Sequence, residues 1–187
     1  MADLEKAVGA YGELLVLDEA YGEFASESAA GLVSEDRCVV VSRTFSKTWA
    51  MAGARLGYLI APTWCVAELE KVALPYHLDA LKLEIGVLAL GYVDAMSERV
   101  ERLVAERERM ATALDGLAVT TWPSAANFIL LRPDSRPGRE VWQDLVERSV
   151  LVRDFTTMPG LEECLRVTIG SRVENDMFLD ALREALR

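Results

Sequence analysis

The sequence predicts an α/β protein, and three features of its pattern carry that prediction. Two apolar runs, "ELLVLDEAY" (13–21) and the β-branched "RCVVVSRTF" (37–45), have the length and continuity of strands buried on both faces. From about Asp79 to Leu117, Leu, Val, Ala and Met recur at helical spacing. Beyond that stretch, strand-like and helix-like segments alternate, the order expected of an α/β unit.

The elements between and after these landmarks follow from the same periodicities. "RLGYLIAP" (55–62) reads as a third strand, a Ser/Ala/Gly-rich loop runs from Phe24 to Ser34, and "TWCVAELEKVAL" (63–74) has the apolar spacing of a helix. The long helical stretch is one helix or two joined near Gly91, with the alternating charges of "SERVERLVAERERMATAL" on its outer face. Then come "LAVTTWPSAANFILLRP", a helix-like "REVWQDLVERS", the strands "VLVRDF" and "CLRVTIG", and a final helix in "ENDMFLDALREAL". The Pro/Gly/charge cluster "RPDSRPGRE" is short enough to be a loop. The expected organisation is residues 1–78 as one α/β portion, 79–109 as a connecting helix and 110–187 as a smaller α/β domain.

Composition narrows the function classes. A chain of 187 residues that is 51% hydrophobic can bury a real core. A formal charge of −10, from 30 acidic against 20 basic residues, lacks the concentrated basic footprint of a nucleic-acid surface. Cys38, Cys65 and Cys164 are odd in number and far apart, which suggests neither a disulfide framework nor a zinc cluster and fits a reducing, cytoplasmic setting. No apolar run approaches the roughly 20 residues of a membrane span, and "MADLEKAVGAYGE" has neither the basic flank nor the apolar stretch of a signal peptide.

The chemistry-bearing residues gather around the first two strands. "SRTFSKTWAMAGARLGY" (42–58) sets Lys47 among hydroxyl residues, with Arg55 eight positions on and glycines at 53 and 57. Thr44, Ser46 and Lys47 fall where a buried strand emerges, and such strand ends in open α/β sheets are where ligands bind. An apolar strand ending in Asp-Glu also suits the magnesium-holding acid of a nucleotide hydrolase. That rival needs a phosphate loop, and the glycine positions before Lys47-Thr48 hold Ser46 and Val41.

Taken with "VLDEAYGEF", "PYHLDAL", "SAANFILLRP", "VLVRD" and "CLRVTIGS", all in order, this segment resembles the fold-type I aminotransferases that use pyridoxal phosphate. Within them it most resembles the histidinol-phosphate branch, which transfers an amino group between L-histidinol phosphate and 2-oxoglutarate. The resemblance implies that Lys47 forms the Schiff base with the cofactor aldehyde and then shuttles the proton as base and acid. It implies Asp18 against the pyridine nitrogen, Tyr21 donating to the ring hydroxyl oxygen, and Thr44, Ser46 and Arg55 on the cofactor phosphate. Arg166, charged and mid-strand among apolar neighbours, would grip the substrate α-carboxylate, and Arg153 the distal phosphate. For Arg153 a salt bridge to adjacent acids is the plainer alternative. Asn127 reads as fixing backbone at a strand start, and His77, Tyr76, Trp122 and Trp142 as structural or packing residues.

Family members extend well upstream of the position matching Met1. The resemblance therefore implies that the phosphate-cradling loop, the ring-stacking aromatic, an Asn to the ring oxygen and much of a homodimer contact lie outside this chain. The expected portion of the large-domain sheet has three strands, an unpaired edge and an uncovered apolar face. Two other functions fit that frame: a non-catalytic assembly module, or a sibling enzyme such as an aromatic aminotransferase or a threonine-phosphate decarboxylase. In the leading reading the partners are small-molecule amino-acid and 2-oxo-acid substrates and a second copy of the chain in a homodimer, with no metal, nucleic acid or membrane.

Overall fold

A computed structural model describes residues 14–187, so the signal-peptide question posed by "MADLEKAVGAYGE" lies outside the described residues apart from its consequences for composition. The chain divides into two compact units, one running to Arg99 and the other from Val100 to Arg187.

In the first unit β1 (Leu15–Asp18) runs parallel to β2 (Val39–Thr44), and β3 (Gly57–Ile60) pairs antiparallel with β2, in the order β1-β2-β3. The central strand is the one whose sequence is most continuously β-branched. Val39, Val40 and Val41 are all buried, and Val39 and Val41 pack with Ala29 and Leu32 from a short 3-10 turn in the β1–β2 connection. Ser28 caps that turn by accepting from the Ala30 amide at 3.1 Å. Burial on both faces, expected of both runs, holds for β2 and fails for β1, where Val16 is 59% exposed beside half-buried Leu15 and Leu17. Among the described residues β1 borders the sheet, and its outer-facing side chains meet no covering layer.

After β3 come α1 (Thr63–Val72) and α2 (Ala80–Ala89), the latter capped by Asp79, whose carboxylate accepts from the Lys82 amide at 2.9 Å. A 3-10 turn at Leu90–Tyr92 separates α2 from α3 (Val93–Leu114), so the long helical stretch is two helices, broken at Gly91 as its sequence allowed. Along α3 the buried Met96, Val100, Met110 and Leu114 and half-buried Leu103 form one stripe at helical spacing. Among the described residues no helix is long and apolar enough to cross a membrane. Tyr76 corrects an expectation: it is 98% exposed in a left-handed backbone conformation and packs on nothing. His77 turns its ring onto the Leu74 carbonyl, 2.9 Å away.

The second unit is a four-stranded antiparallel sheet, β4 (Val119–Thr121), β5 (Phe128–Pro133), β7 (Leu165–Thr168) and β6 (Arg153–Asp154) in spatial order, with α4 (Gly138–Glu147) and α5 (Arg172–Ala185). Its core gathers Met110, Leu114, Ile129, Leu131, Leu145, Leu165 and Leu182, all essentially inaccessible to solvent. Each such side chain contributes about 1.5–3 kcal/mol on burial. The Ser171-Arg172-Val173-Glu174 run forms a reciprocal capping box at the start of α5. Buried Asn175 then clamps the turn between β7 and α5, accepting from the Gly170 amide at 2.9 Å and donating to the Gly170 carbonyl at 3.1 Å and to Glu106 Oε2 at 3.0 Å. Trp142 is a packing residue whose Nε1 donates to the Val152 carbonyl, whereas Trp122 is 40% exposed and stacks near Arg132.

Candidate active site

The register of β1 on β2 sets Asp18 directly beside Ser42 at the carboxyl ends of both strands. The chain then turns: Tyr21 follows Asp18 by three residues and Lys47 follows Thr44 by three, and the fold brings these two together, Lys47 Nζ lying 5.1 Å from the centre of the Tyr21 ring. Lys47 is exposed and, among the described residues, pairs with no carboxylate, so its amine is available for chemistry. Asp18 Oδ1 accepts from the Ala20 amide at 2.9 Å and from Ser42 Oγ at 3.2 Å. An amine, a carboxylate with a free oxygen and a phenol thus occupy one sheet end.

The three residues expected to hold a phosphate are in different states. Thr44 Oγ1 donates to the Leu56 carbonyl at 3.3 Å and accepts from the Ser46 amide at 3.1 Å, so it shapes the turn carrying Lys47. The Ser46 hydroxyl has no such commitment among the described residues. Arg55 is exposed, at φ 53° and ψ 43°, and donates to the Ala52 carbonyl at 3.2 Å. A non-glycine residue held left-handed costs about 1–2 kcal/mol, and such conformations concentrate at ligand sites. Arg55 makes no hydrogen bond to Lys47, Thr44 or Ser46. Gly57 needs no ligand to explain it: a Cβ there would meet the Arg43 carbonyl oxygen at 2.8 Å across the β2–β3 pair. Around Gly53 the space is open.

Sequence reading missed the network that braces this end of the sheet. Glu19, the second acid of the Asp-Glu pair, is half-buried and takes Arg43 Nε at 3.2 Å and Nη2 at 2.9 Å, the Ser28 hydroxyl at 2.9 Å and the Ala29 amide. Burial alone would raise the Glu19 pKa, but the Ala29 amide, the Arg43 guanidinium and the Ser28 hydroxyl together hold it below the usual glutamate range. Because the folded value lies below the unfolded one, this contribution to stability is present above the usual value of ~4.3 and is lost as pH falls through the depressed folded value. Glu19→Gln is therefore expected to cost about 1–2 kcal/mol near neutral pH and to match the unsubstituted chain in strongly acidic buffer, as read by urea melts across pH. A second brace is Arg99, whose Nη1 donates to the carbonyl of Thr48 at 3.0 Å, one residue past Lys47. Thr48 is buried with its Oγ1 unpartnered.

In the second unit, the two arginines singled out from sequence are direct cross-strand neighbours, Arg153 on β6 facing Arg166 on β7. Their guanidinium carbons lie 5.9 and 5.5 Å from the centre of the Phe155 ring, and that of Arg166 also 4.9 Å from Phe128. The alternative for Arg153, a salt bridge to its neighbouring acid, is not formed: Asp154 pairs with Arg139 instead. Among the described residues neither arginine has a carboxylate partner, and Arg166 Nε is buried without a hydrogen bond. Both line a cavity of about 410 Å³ that also reaches Thr168, Gly170 and Asn175. Asn127, whose carbonyl accepts from the Ile169 amide at 2.8 Å, fixes β5 to the chain leaving β7.

The chain as a whole is similar to known proteins. The chain is 38% identical over 181 residues to a histidinol-phosphate aminotransferase of Geotalea uraniireducens, covering 97% of this chain and 52% of that protein. It is 41% identical over 182 residues to one of Mycolicibacterium smegmatis, covering 96% and 47%. The crystal structure of histidinol-phosphate aminotransferase from Sinorhizobium meliloti in complex with pyridoxal-5'-phosphate superposes with a TM-score of 0.79 at 27% identity, covering 93% of this chain and 49% of that one. The chain spans about half the length of the curated relatives it matches. With the family described as Aminotransferase class I and II matching residues 1–182, almost end to end, the chain belongs to that family.

Proposed function

We propose that the chain carries the catalytic lysine and the substrate-binding arginines of a pyridoxal-phosphate-dependent aminotransferase acting on L-histidinol phosphate and 2-oxoglutarate in histidine biosynthesis. The observation that carries the substrate assignment is the Arg153–Arg166 pair, two adjacent guanidinium groups with no carboxylate to neutralise them among the described residues. Such a pair suits an anionic ligand, and a substrate bearing both a carboxylate and a phosphate would give each guanidinium a partner. The names of the relatives support that choice.

The residues at the sheet end fit the cofactor by their donor set: among the described residues an amine in no ion pair, a carboxylate with one oxygen uncommitted, and a hydroxyl and a guanidinium suited to phosphate. Lys47, Asp18, Tyr21, Ser46 and Arg55 would hold it, with Thr44 shaping the turn. When bound, pyridoxal phosphate supplies an aldehyde for the lysine amine and a ring that withdraws electrons from the substrate Cα. Lys47 Nζ would take the proton from the substrate Cα and deliver it to the carbon that bore the cofactor aldehyde, acting first as base and then as acid. Asp18 would keep the ring nitrogen protonated, and Tyr21 would donate to the ring oxygen. Arg166 grips the α-carboxylate in a two-pronged hydrogen bond, while Arg153 meets the distal phosphate.

The free state of Cys38, Cys65 and Cys164 supports a reducing, cytoplasmic setting, and the uncovered apolar side chains of β1 and β3 support assembly as a homodimer. Amino-donor comparison tests the substrate. With pyridoxal phosphate and 2-oxoglutarate supplied, histidinol phosphate is expected to outperform phenylalanine and threonine phosphate in kcat/KM. Arg153→Ala should cut the preference for histidinol phosphate over unphosphorylated histidinol about 10- to 100-fold, the range of a charged hydrogen bond. A preference unchanged by that substitution removes the phosphate role, and equal use of phenylalanine moves the chain to an aromatic aminotransferase.

A further inference from the structure

β1 ends at Asp18 and Glu19 follows it directly, and alternation along an extended chain sends the two carboxylates to opposite faces. Glu19 is consumed by Arg43, Ser28 and the Ala29 amide. Asp18, which is exposed, is held by neutral donors alone, the Ala20 amide at 2.9 Å and Ser42 Oγ at 3.2 Å, and both fall on Oδ1. Among the described residues Oδ2 has no partner. Ser42 is tied in place by its own backbone as well, since it stands opposite Asp18 in the parallel register and its carbonyl accepts from the Glu19 amide at 2.9 Å.

We infer that Ser42 is a positioning residue for Asp18: its hydroxyl pins Oδ1 to the neighbouring strand and so presents Oδ2 to the ligand. The inference rests on the cofactor reading of the site given above. The physical need is plain. An exposed aspartate at a strand end rotates freely about its side-chain bonds, and ordering such a side chain costs free energy that is otherwise drawn from ligand binding. The Ala20 amide is a local contact within two residues, which leaves the carboxylate moving with its own turn. The Ser42 hydroxyl is the contact that references it to β2, the strand that leads to Lys47. With two donors on one oxygen the carboxylate plane is fixed, and the orientation of the uncommitted oxygen follows.

The test uses the full chain loaded with pyridoxal phosphate labelled with nitrogen-15 in the ring. In the unsubstituted chain the ring-nitrogen resonance is expected at the protonated position, and Asp18→Asn should move it to the unprotonated one. Ser42→Ala should move it part of the way and lower kcat about 10-fold with KM within about twofold. Ser42→Thr, which keeps the hydroxyl on a β-branched side chain suited to a strand, should restore both, and its isostere Ser42→Val should not. The Thr and Val pair decides the matter should the alanine variant fold poorly. A response to Asp18→Asn with none to Ser42→Ala or Ser42→Val overturns the Ser42 assignment and leaves the cofactor reading standing. A ring resonance that ignores Asp18→Asn, or a chain that binds no labelled cofactor, overturns the cofactor reading and this inference with it.

Discussion

Lys47→Ala is expected to lower transamination about 10⁴-fold, the upper range for loss of a positioned acid–base group, while leaving the melting transition nearly unchanged. The separation of those two effects follows from the surroundings of the side chain. Lys47 is exposed, makes no ion pair among the described residues, and lies over the face of Tyr21. A surface substitution without a network to break usually falls within about 0.5 kcal/mol of neutral, so lost activity would report lost chemistry. Borohydride reduction of the cofactor-saturated chain, followed by peptide mass mapping, should label the segment containing Lys47 and nothing in the alanine variant. A label on another lysine would remove Lys47 from the mechanism.

Arg166→Ala is the second large effect, and its signature differs. A desolvated charged hydrogen bond to a carboxylate contributes about 2–5 kcal/mol, which corresponds to roughly 30- to 5,000-fold in KM for the amino donor and the 2-oxo acid alike, since both present an α-carboxylate. Arg166→Lys keeps the charge but loses the planar fork, so an intermediate value is expected. Folding should not suffer in proportion. In the free chain Arg166 carries the cost of a buried Nε without a partner, offset only by the Phe128 and Phe155 rings, so removing it relieves a penalty as it removes those contacts. Steady-state kinetics with both substrates beside a denaturant melt distinguish this from general destabilisation. A unit that loses both binding and several kcal/mol of stability would assign Arg166 to structure.

Arg153 and Arg166 illustrate what sequence conveys at a site. Arg166 announces itself because a charge between Leu165 and Val167 in a buried strand has no cheap explanation. Arg153 does not, because Asp154 beside it offers an easy ion pair, and only the fold shows that Asp154 is taken by Arg139. The same holds in the first unit, where the order Asp18, Tyr21, Lys47, Arg55 is readable as a motif. The network of Glu19 with Arg43, the grip of Arg99 on the Thr48 carbonyl and the Ser42 contact to Asp18 join residues remote in the chain. No local pattern encodes them.

By itself the sequence determined the elements: the β-branched Val39–Val41 run as a buried strand, the long helical stretch with Gly91 as the place where it could divide, and the alternating strands and helices after it. Hydrophobic periodicity and turn residues suffice for these because they act over a few residues. Tertiary structure alone decided which faces are covered, leaving Val16 and Tyr76 exposed, and which oxygens and guanidinium groups remain free to meet a ligand. The reason is register. A shift of one residue between β1 and β2 would exchange the faces of Asp18 and Glu19, and that pairing is fixed by packing of the whole unit rather than by either strand.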